Sequence, residues 1–469
     1  MKKSIIAICL LMTIVMDLKA FDYEFRFTND IYDPYIKTVT LETNDLPTNF
    51  PVIRKGSGDY IMLKFDDLLN EERNYYYKII HCDKDWTPSK LSELEAIGGF
   101  NDERLRSFQY SVNTKTQYIH YWQKFPNKDT YFKVSGNFLL VIYEDKLDYP
   151  VLSRRFIVTE KAVTVSLQSV FPRDVANIRY KQEFQVEINF QNFKMRNPVE
   201  EITLMMLQND NWETAMLAQP SFFSSNVLRF NKVRSFEFWG LNEYREFDTR
   251  SLFSLGRGIA NIERNINNID VFLKLEQSRR TKPYIFIFDF NGKFFIDNFD
   301  GAQGNSITNL LSSVTNSLNN TNTNTQLRNE IISQISSNQV SNVQGFQEKN
   351  IRGDYANVVF NLENDDLEPD DEIYLLGAFN NWTPSKEFQL YNRGKNLYTL
   401  DVNMKQGYYN YMYGKLLPDG KIDYMSLEGS WQDTENEYQA IVYYRGIGDL
   451  YDRIISYNTY NTEVNIANR

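Results

Sequence analysis

The chain has 469 residues, 15% of them aromatic, and a formal net charge of -10. That length accommodates roughly three domains of ordinary size, and the aromatic content favours strands, whose pleated surface accepts large rings. The acidic balance excludes a nucleic-acid-binding role and has solubility as its plain meaning.

In chain order, Lys2 and Lys3 precede an apolar run from Ile5 to Val15, and Leu18-Lys-Ala20 ends on a small residue. This predicts a signal peptide over residues 1–20, with Phe21 first in the mature chain. The run is too short to span a bilayer. Cys9 lies inside it behind Ile8, unlike a lipid-attachment site. No later apolar segment is long enough to cross a membrane, so no direct membrane span is expected.

Residues 21–159 read as an N-terminal β-sandwich. Ile61, Leu63 and Phe65 alternate with polar or flexible neighbours. Tyr75 to Cys82 is an aromatic strand, followed by turn residues Asp83 to Ser89. Phe138 to Tyr143 is a continuous apolar run, the pattern of a central strand. Residues 160–300 read as a second sandwich. Its clearest strand alternates Phe184, Val186, Ile188 and Phe190 with polar residues. Tyr284 to Phe290 reads as a strand closed by the hairpin dipeptide Asn291-Gly292. Residues 301–352 change to Asn, Ser, Thr and Gln, and read as a linker or insertion. Residues 353–469 read as a C-terminal immunoglobulin-like domain with a polar tail, carrying the alternation Tyr398, Leu400, Val402, Met404. The fold class is therefore mainly β, in tandem immunoglobulin-like sandwich modules. One pentapeptide recurs: Trp86-Thr-Pro-Ser-Lys90 and Trp382-Thr-Pro-Ser-Lys386, each after a strand-like run and a short polar loop.

Chemistry is sparse. There is no Gly-rich phosphate loop, nucleophile elbow or Cys-x-x-Cys pair. His81 and His120 are the two histidines, and their surroundings do not spell a zinc site. Carboxylate pairs such as Asp66-Asp67 and Asp370-Asp371 read as solvated surface. Cys82 has no partner in the mature chain and reads as a small buried hydrophobe. No enzyme activity, cofactor or metal is expected. The exposed-turn residues Asp83, Asp85, Trp86, Asn242 and Arg245 are the candidates for contact with a partner, with locally hydrogen-bonded turns as the alternative.

Gly377-Ala-Phe-Asn-Asn-Trp382 resembles the Gly-x-Phe-Asn-x-Trp motif of the glycogen-binding-type carbohydrate module, and Gly407-Tyr-Tyr-Asn-Tyr411 resembles that family's later strand. The resemblance implies an immunoglobulin-like sandwich and a sugar-stacking role for Trp382, or else a structural one. No aromatic follows the Asp419-Gly420 turn where that family has its second stacking Trp, so a carbohydrate ligand is the alternative and not the leading expectation.

A longer set of motifs runs through the chain. It includes Phe65-Asp-Asp-Leu68, His81-Cys82, Gly98-Gly-Phe100, Ser111-Val-Asn-Thr114, Ser135-Gly-Asn137, Ser153-Arg-Arg-Phe156, Asn242-Glu-Tyr-Arg-Glu-Phe-Asp248 and Lys405-Gln-Gly-Tyr-Tyr-Asn410. Together they resemble the plug family of the Bacteroidota type 9 secretion system. The resemblance implies a periplasmic, non-enzymatic protein whose partner is the outer-membrane translocon barrel, which it closes while no substrate passes.

Overall fold

The computed structural model describes residues 25–46, 49–147, 149–300, 349–368 and 370–462. The predicted signal peptide and nearly all of the predicted 301–352 insertion lie outside them.

The first sandwich packs two antiparallel-based sheets face to face. One runs in the order Asp30–Ile31, Pro150–Thr159, Gly136–Glu144, Tyr75–Cys82, Glu103–Arg104, with Val52–Arg54 added parallel to Pro150–Thr159. The other runs Ile36–Thr43, Ile61–Asp67, Ile119–Phe125, Phe108–Tyr110. Alternation sets the faces. Tyr75, Tyr77 and Ile79 point inward to meet Leu63, Phe65, Tyr121, Leu140 and Phe156 in the core. The apolar run predicted as a central strand is one. Gly136–Glu144 is paired on both sides, and its outward-facing Leu139 and Val141 are buried as well as its inward-facing Phe138 and Leu140.

That second burial comes from Trp86, Phe25 and Phe27 of the first domain's own loops together with Trp212 of the second sandwich. Its outer sheet is Thr164–Val170, Lys181–Asn189, Val227–Phe230, Phe222–Ser224, with Glu237–Trp239 also on Lys181–Asn189. Its inner sheet runs Asn211–Ala218, Ile202–Gln208, Glu437–Tyr444, Arg453–Asn461. Phe50 and Ile157 of the first sandwich pack into Met205, Leu207, Ile441 and Ile454 of this inner sheet.

The third sandwich is built from Arg245–Asp248, Ile259–Arg264, Ile269–Leu273 and Phe294–Ile296 together with Tyr355–Glu363 and the strands through Gly407–Leu416. Its core joins Phe247, Val271, Phe360, Leu400, Tyr409 and Tyr411.

These pairings correct the boundaries read from sequence. The second sandwich is discontinuous, because the hairpin Glu437–Asn461 returns to it across the third sandwich. Residues 245–300 belong to the third sandwich and not to the second. The physical reason is that alternation reports which face of a strand is buried, not which sheet covers it. The predicted strand Tyr284–Phe290 is extended but joins no ladder, while Asn291 and Gly292 do form the left-handed turn expected of them, at φ 54° and 78°.

Candidate interaction surface

The repeated pentapeptide folds the same way twice. Trp86 and Trp382 both adopt positive φ, 65° and 52°, and both rings are buried. Bulky residues rarely hold this conformation unless the surroundings fix it. Trp86 meets Trp212 of the second sandwich edge-on at 4.9 Å, with the Arg155 guanidinium 4.5 Å from its ring centre. Trp382 packs with Tyr374 and Leu376 in a small cluster of the third sandwich, separate from its main core. Only 6% of it is exposed, so it offers no open face to a sugar ring.

Asp83 is not a free turn residue. It accepts from Arg445 Nη1 at 3.0 Å and from the Asp452 backbone N–H at 3.1 Å, both on the returning hairpin. Asn137 donates to the Asp83 carbonyl at 3.0 Å and accepts from the Tyr443 hydroxyl at 2.9 Å. Asp85 is exposed and accepts from the Thr87 backbone and hydroxyl, at 3.0 and 2.6 Å; the Thr87 hydrogen bond holds its carboxyl below the usual range.

Asn242 and Arg245 are buried, against the expectation of exposed turns. Asn242 donates to the Glu428 carbonyl at 2.9 Å. Arg245 forks onto Glu428, Nε at 2.9 and 3.2 Å, and reaches Glu276 at 3.0 Å. Burial works against the Glu428 carboxylate, yet Arg245 and Arg279 together hold its pKa down to about 2. Tyr411 and Tyr413 donate to the far oxygen of Glu276 at 2.9 and 2.7 Å. This is a buried ion network joining strands of one core, with Arg279 Nη2 its one donor left without a partner among those described. Of the six candidates only Asp85 is left on the surface.

The pair Asp66-Asp67, read as solvated surface, is fully buried. Asp66 takes Lys405 at 2.5 Å and the Tyr355 hydroxyl at 2.8 Å from the third sandwich, and His120 Nδ1 at 2.6 Å from its own. Burial opposes its charge, but Lys405 and His120 hold the carboxyl below its ordinary pKa. Asp67 takes Arg73 at 2.7 Å and Tyr75 at 2.9 Å. The signal for these sites was present as polar residues ending an apolar strand; the partners of Asp67 are local, but those of Asp66 lie far away in sequence. His81 is also buried, accepting from Ser89 at Nδ1, 2.7 Å, and donating from Nε2 to the Ser135 carbonyl, 3.3 Å; burial lowers its pKa and keeps it neutral. Among the described residues no group of three His, Cys, Asp or Glu side chains is placed to hold a metal, and no helix is long and apolar enough to cross a membrane.

Exposed apolar side chains gather instead at one end of the second sandwich. Phe171, Val175 and Tyr180, on the loop before Lys181–Asn189, and Trp239 on the neighbouring strand all face solvent, Val175 with 81% of its surface. Asn177 ties this loop to Glu237 at 2.9 Å, and Tyr180 accepts from the Gly240 backbone at 2.9 Å, so loop and strand form one surface. A second group, Leu94, Phe100 and Tyr131, lies at an end of the first sandwich. Sequence reading missed both, because an apolar residue on a loop or strand is indistinguishable from a core one until its packing neighbours are known.

Comparison with known proteins adds the family. Residues 36–160, which make up the first sandwich, match the type 9 secretion system plug protein 1st domain. No curated protein matches the chain. The crystal structure, at 2.30 Å resolution, of a hypothetical protein from Parabacteroides merdae ATCC 43184 is similar over 93% of this chain and 100% of that one, with a TM-score of 0.79 and 27% identity. A plug domain implies association with the secretion system translocon and a periplasmic or outer-membrane-associated location. Residues 36–160 thus match the first domain of the type 9 secretion system plug proteins, and that match supports a plug protein of that system.

Proposed function

We propose that this protein is a non-enzymatic periplasmic plug that reversibly seals the periplasmic opening of the type 9 outer-membrane translocon. The observation that carries the reading is the plug domain at residues 36–160, held in one body with two further sandwiches. A stopper needs rigidity, and buried links join the domains here: Asp66 to Lys405 and Tyr355 on one side, Asp83 and Asn137 to Arg445 and Tyr443 on the other. It also needs a displaceable contact, of ordinary size, about 1,200–2,000 Å² in total. The exposed apolar end of the second sandwich, Phe171, Val175, Tyr180 and Trp239, supplies surface for one.

Deleting the protein tests the seal. Secretion should persist while sensitivity to large, normally excluded antibiotics rises, and that sensitivity should fall again when the translocon barrel is deleted too. A deletion strain no more permeable than wild type, or one in which secretion stops, refutes the stopper. Co-purification locates the contact. Phe171→Asp with Val175→Asp should release the protein from the barrel with its melting temperature unchanged, whereas Asp85→Lys should not.

A further inference from the structure

A guanidinium keeps its proton inside a protein, so burial obliges it to find an anion. Arg154 and Arg155, on the strand Pro150–Thr159, break that rule among the described residues. Arg154 is 4% exposed, and its Nη1 donates to two carbonyls, Asp30 at 2.9 Å and Ser153 at 2.8 Å. Arg155 donates from Nε to the Phe27 carbonyl at 2.8 Å and lies against Trp86 and Trp212. Neither has a carboxylate within ion-pair distance among the described residues, and burial pushes both pKa values down to about 10.

Adjacent strand residues face opposite sides of a sheet, yet Arg154 and Arg155 both line one cavity at a gap in the sheet edge. Asp30–Ile31 pairs with Leu152 and Ser153, and Val52–Arg54 pairs with Ile157 to Thr159. Between them the edge at Arg154 to Phe156 has no strand beside it. A cavity of about 110 Å³ lies there, lined by Thr40 and Glu42 of the first sandwich, Asp210 and Trp212 of the second, and Lys293 and Trp382 of the third. Its acids each meet a lysine, Glu42 with Lys64 at 2.5 Å and Asp210 Oδ2 with Lys293 at 2.9 Å; among the described residues Asp210 Oδ1 has no hydrogen-bond partner, and burial pushes that carboxyl up to about 6, toward its neutral form. The two guanidiniums remain as excess positive charge in a cavity large enough for a small ion.

We propose that this cavity binds a small oxyanion, a carboxylate or a phosphate, held by Arg154 and Arg155 where the three sandwiches meet. Binding there ties the domains together and raises stability with ligand concentration. The inference does not depend on the plug reading.

The test is thermal unfolding of the full mature chain at pH 7 in sodium phosphate and, separately, sodium acetate, each against sodium chloride of equal ionic strength. The expected result is a saturable rise in melting temperature with at least one oxyanion, kept in the surface variant Arg229→Met and lost in Arg154→Met. In chloride, Arg154→Met should melt no lower than wild type, because removing an unpaired buried charge relieves a desolvation cost. Isothermal titration of phosphate and acetate into wild type keeps the test decisive should that variant fail to fold; absence of saturable heat with both overturns the proposal. Equal responses in wild type and Arg154→Met, meaning a general salt effect, also overturn it. So does a response seen only after Asp22→Asn with Glu24→Gln, which would make the chain's own carboxylates the occupants.

Discussion

Cys82 sits beside Leu139 and Val141 beneath Trp86, fully buried, and burial pushes its thiol up to about 12. The thiolate is the reactive form, so native protein should resist maleimide at pH 7 and label within minutes in denaturant. Rapid native labelling contradicts this packing. Glu428 makes the opposite case. Its pKa is held at about 2, below its ordinary 4.5, by Arg245 and Arg279 in spite of burial. The stability it supplies is complete above about pH 5 and drains as pH falls toward 2. Glu428→Gln should therefore lose about 3–5 kcal/mol at pH 7, the usual consequence of breaking a buried pair, and the gap from wild type should narrow in acid. Urea midpoints at pH 7 and pH 3 measure it, and a gap that stays constant argues against the ion network. At this scale the sequence was informative for apolar residues and misleading for polar ones. Cys82 and the core face of Lys181–Asn189 follow from composition and period alone. Asp66, Asn242 and Arg245 do not, because a charge is stable inside only when its partner arrives, and their partners Lys405 and Glu428 are well over a hundred residues away.

Among elements, the hairpin Glu437–Asn461 decides the second sandwich. It covers the edge of Ile202–Gln208, a strand whose residues are all buried. Without it that strand becomes an exposed apolar edge, open to pairing with other chains. Truncation after Asn436 should give a protein that aggregates, or whose second sandwich is cleaved early by protease while the first survives. A soluble, protease-resistant truncation would show the hairpin to be dispensable. The sequence reading assigned this hairpin to the C-terminal domain and named neither its strands nor their partners. Tyr438, Ala440 and Val442 alternate as any sandwich strand would, and nothing local says they return past the third domain. The repeated pentapeptide was a better guide, since the same five residues build the same buried, left-handed Trp at two distant sites.

For the molecule as a whole, the links at Asp66 and Asp83 join the first sandwich to both of the others. The three domains should unfold in one calorimetric transition. Asp83→Ala combined with Tyr443→Phe should split it or broaden it, and three separate transitions in wild type would contradict the interlock. The route of the chain through this body also orders its birth. The second domain is opened before residue 240 and finished only by Glu437–Asn461. A nascent or translocating chain can pair Ile202–Gln208 with Asn211–Ala218 at once, but must leave its other edge open until Glu437–Tyr444 emerges. Molecules that lack the hairpin therefore stay sticky and visible to proteases and chaperones. The hairpin is thus the clasp of the second domain, made only after the strands of the third have been laid down.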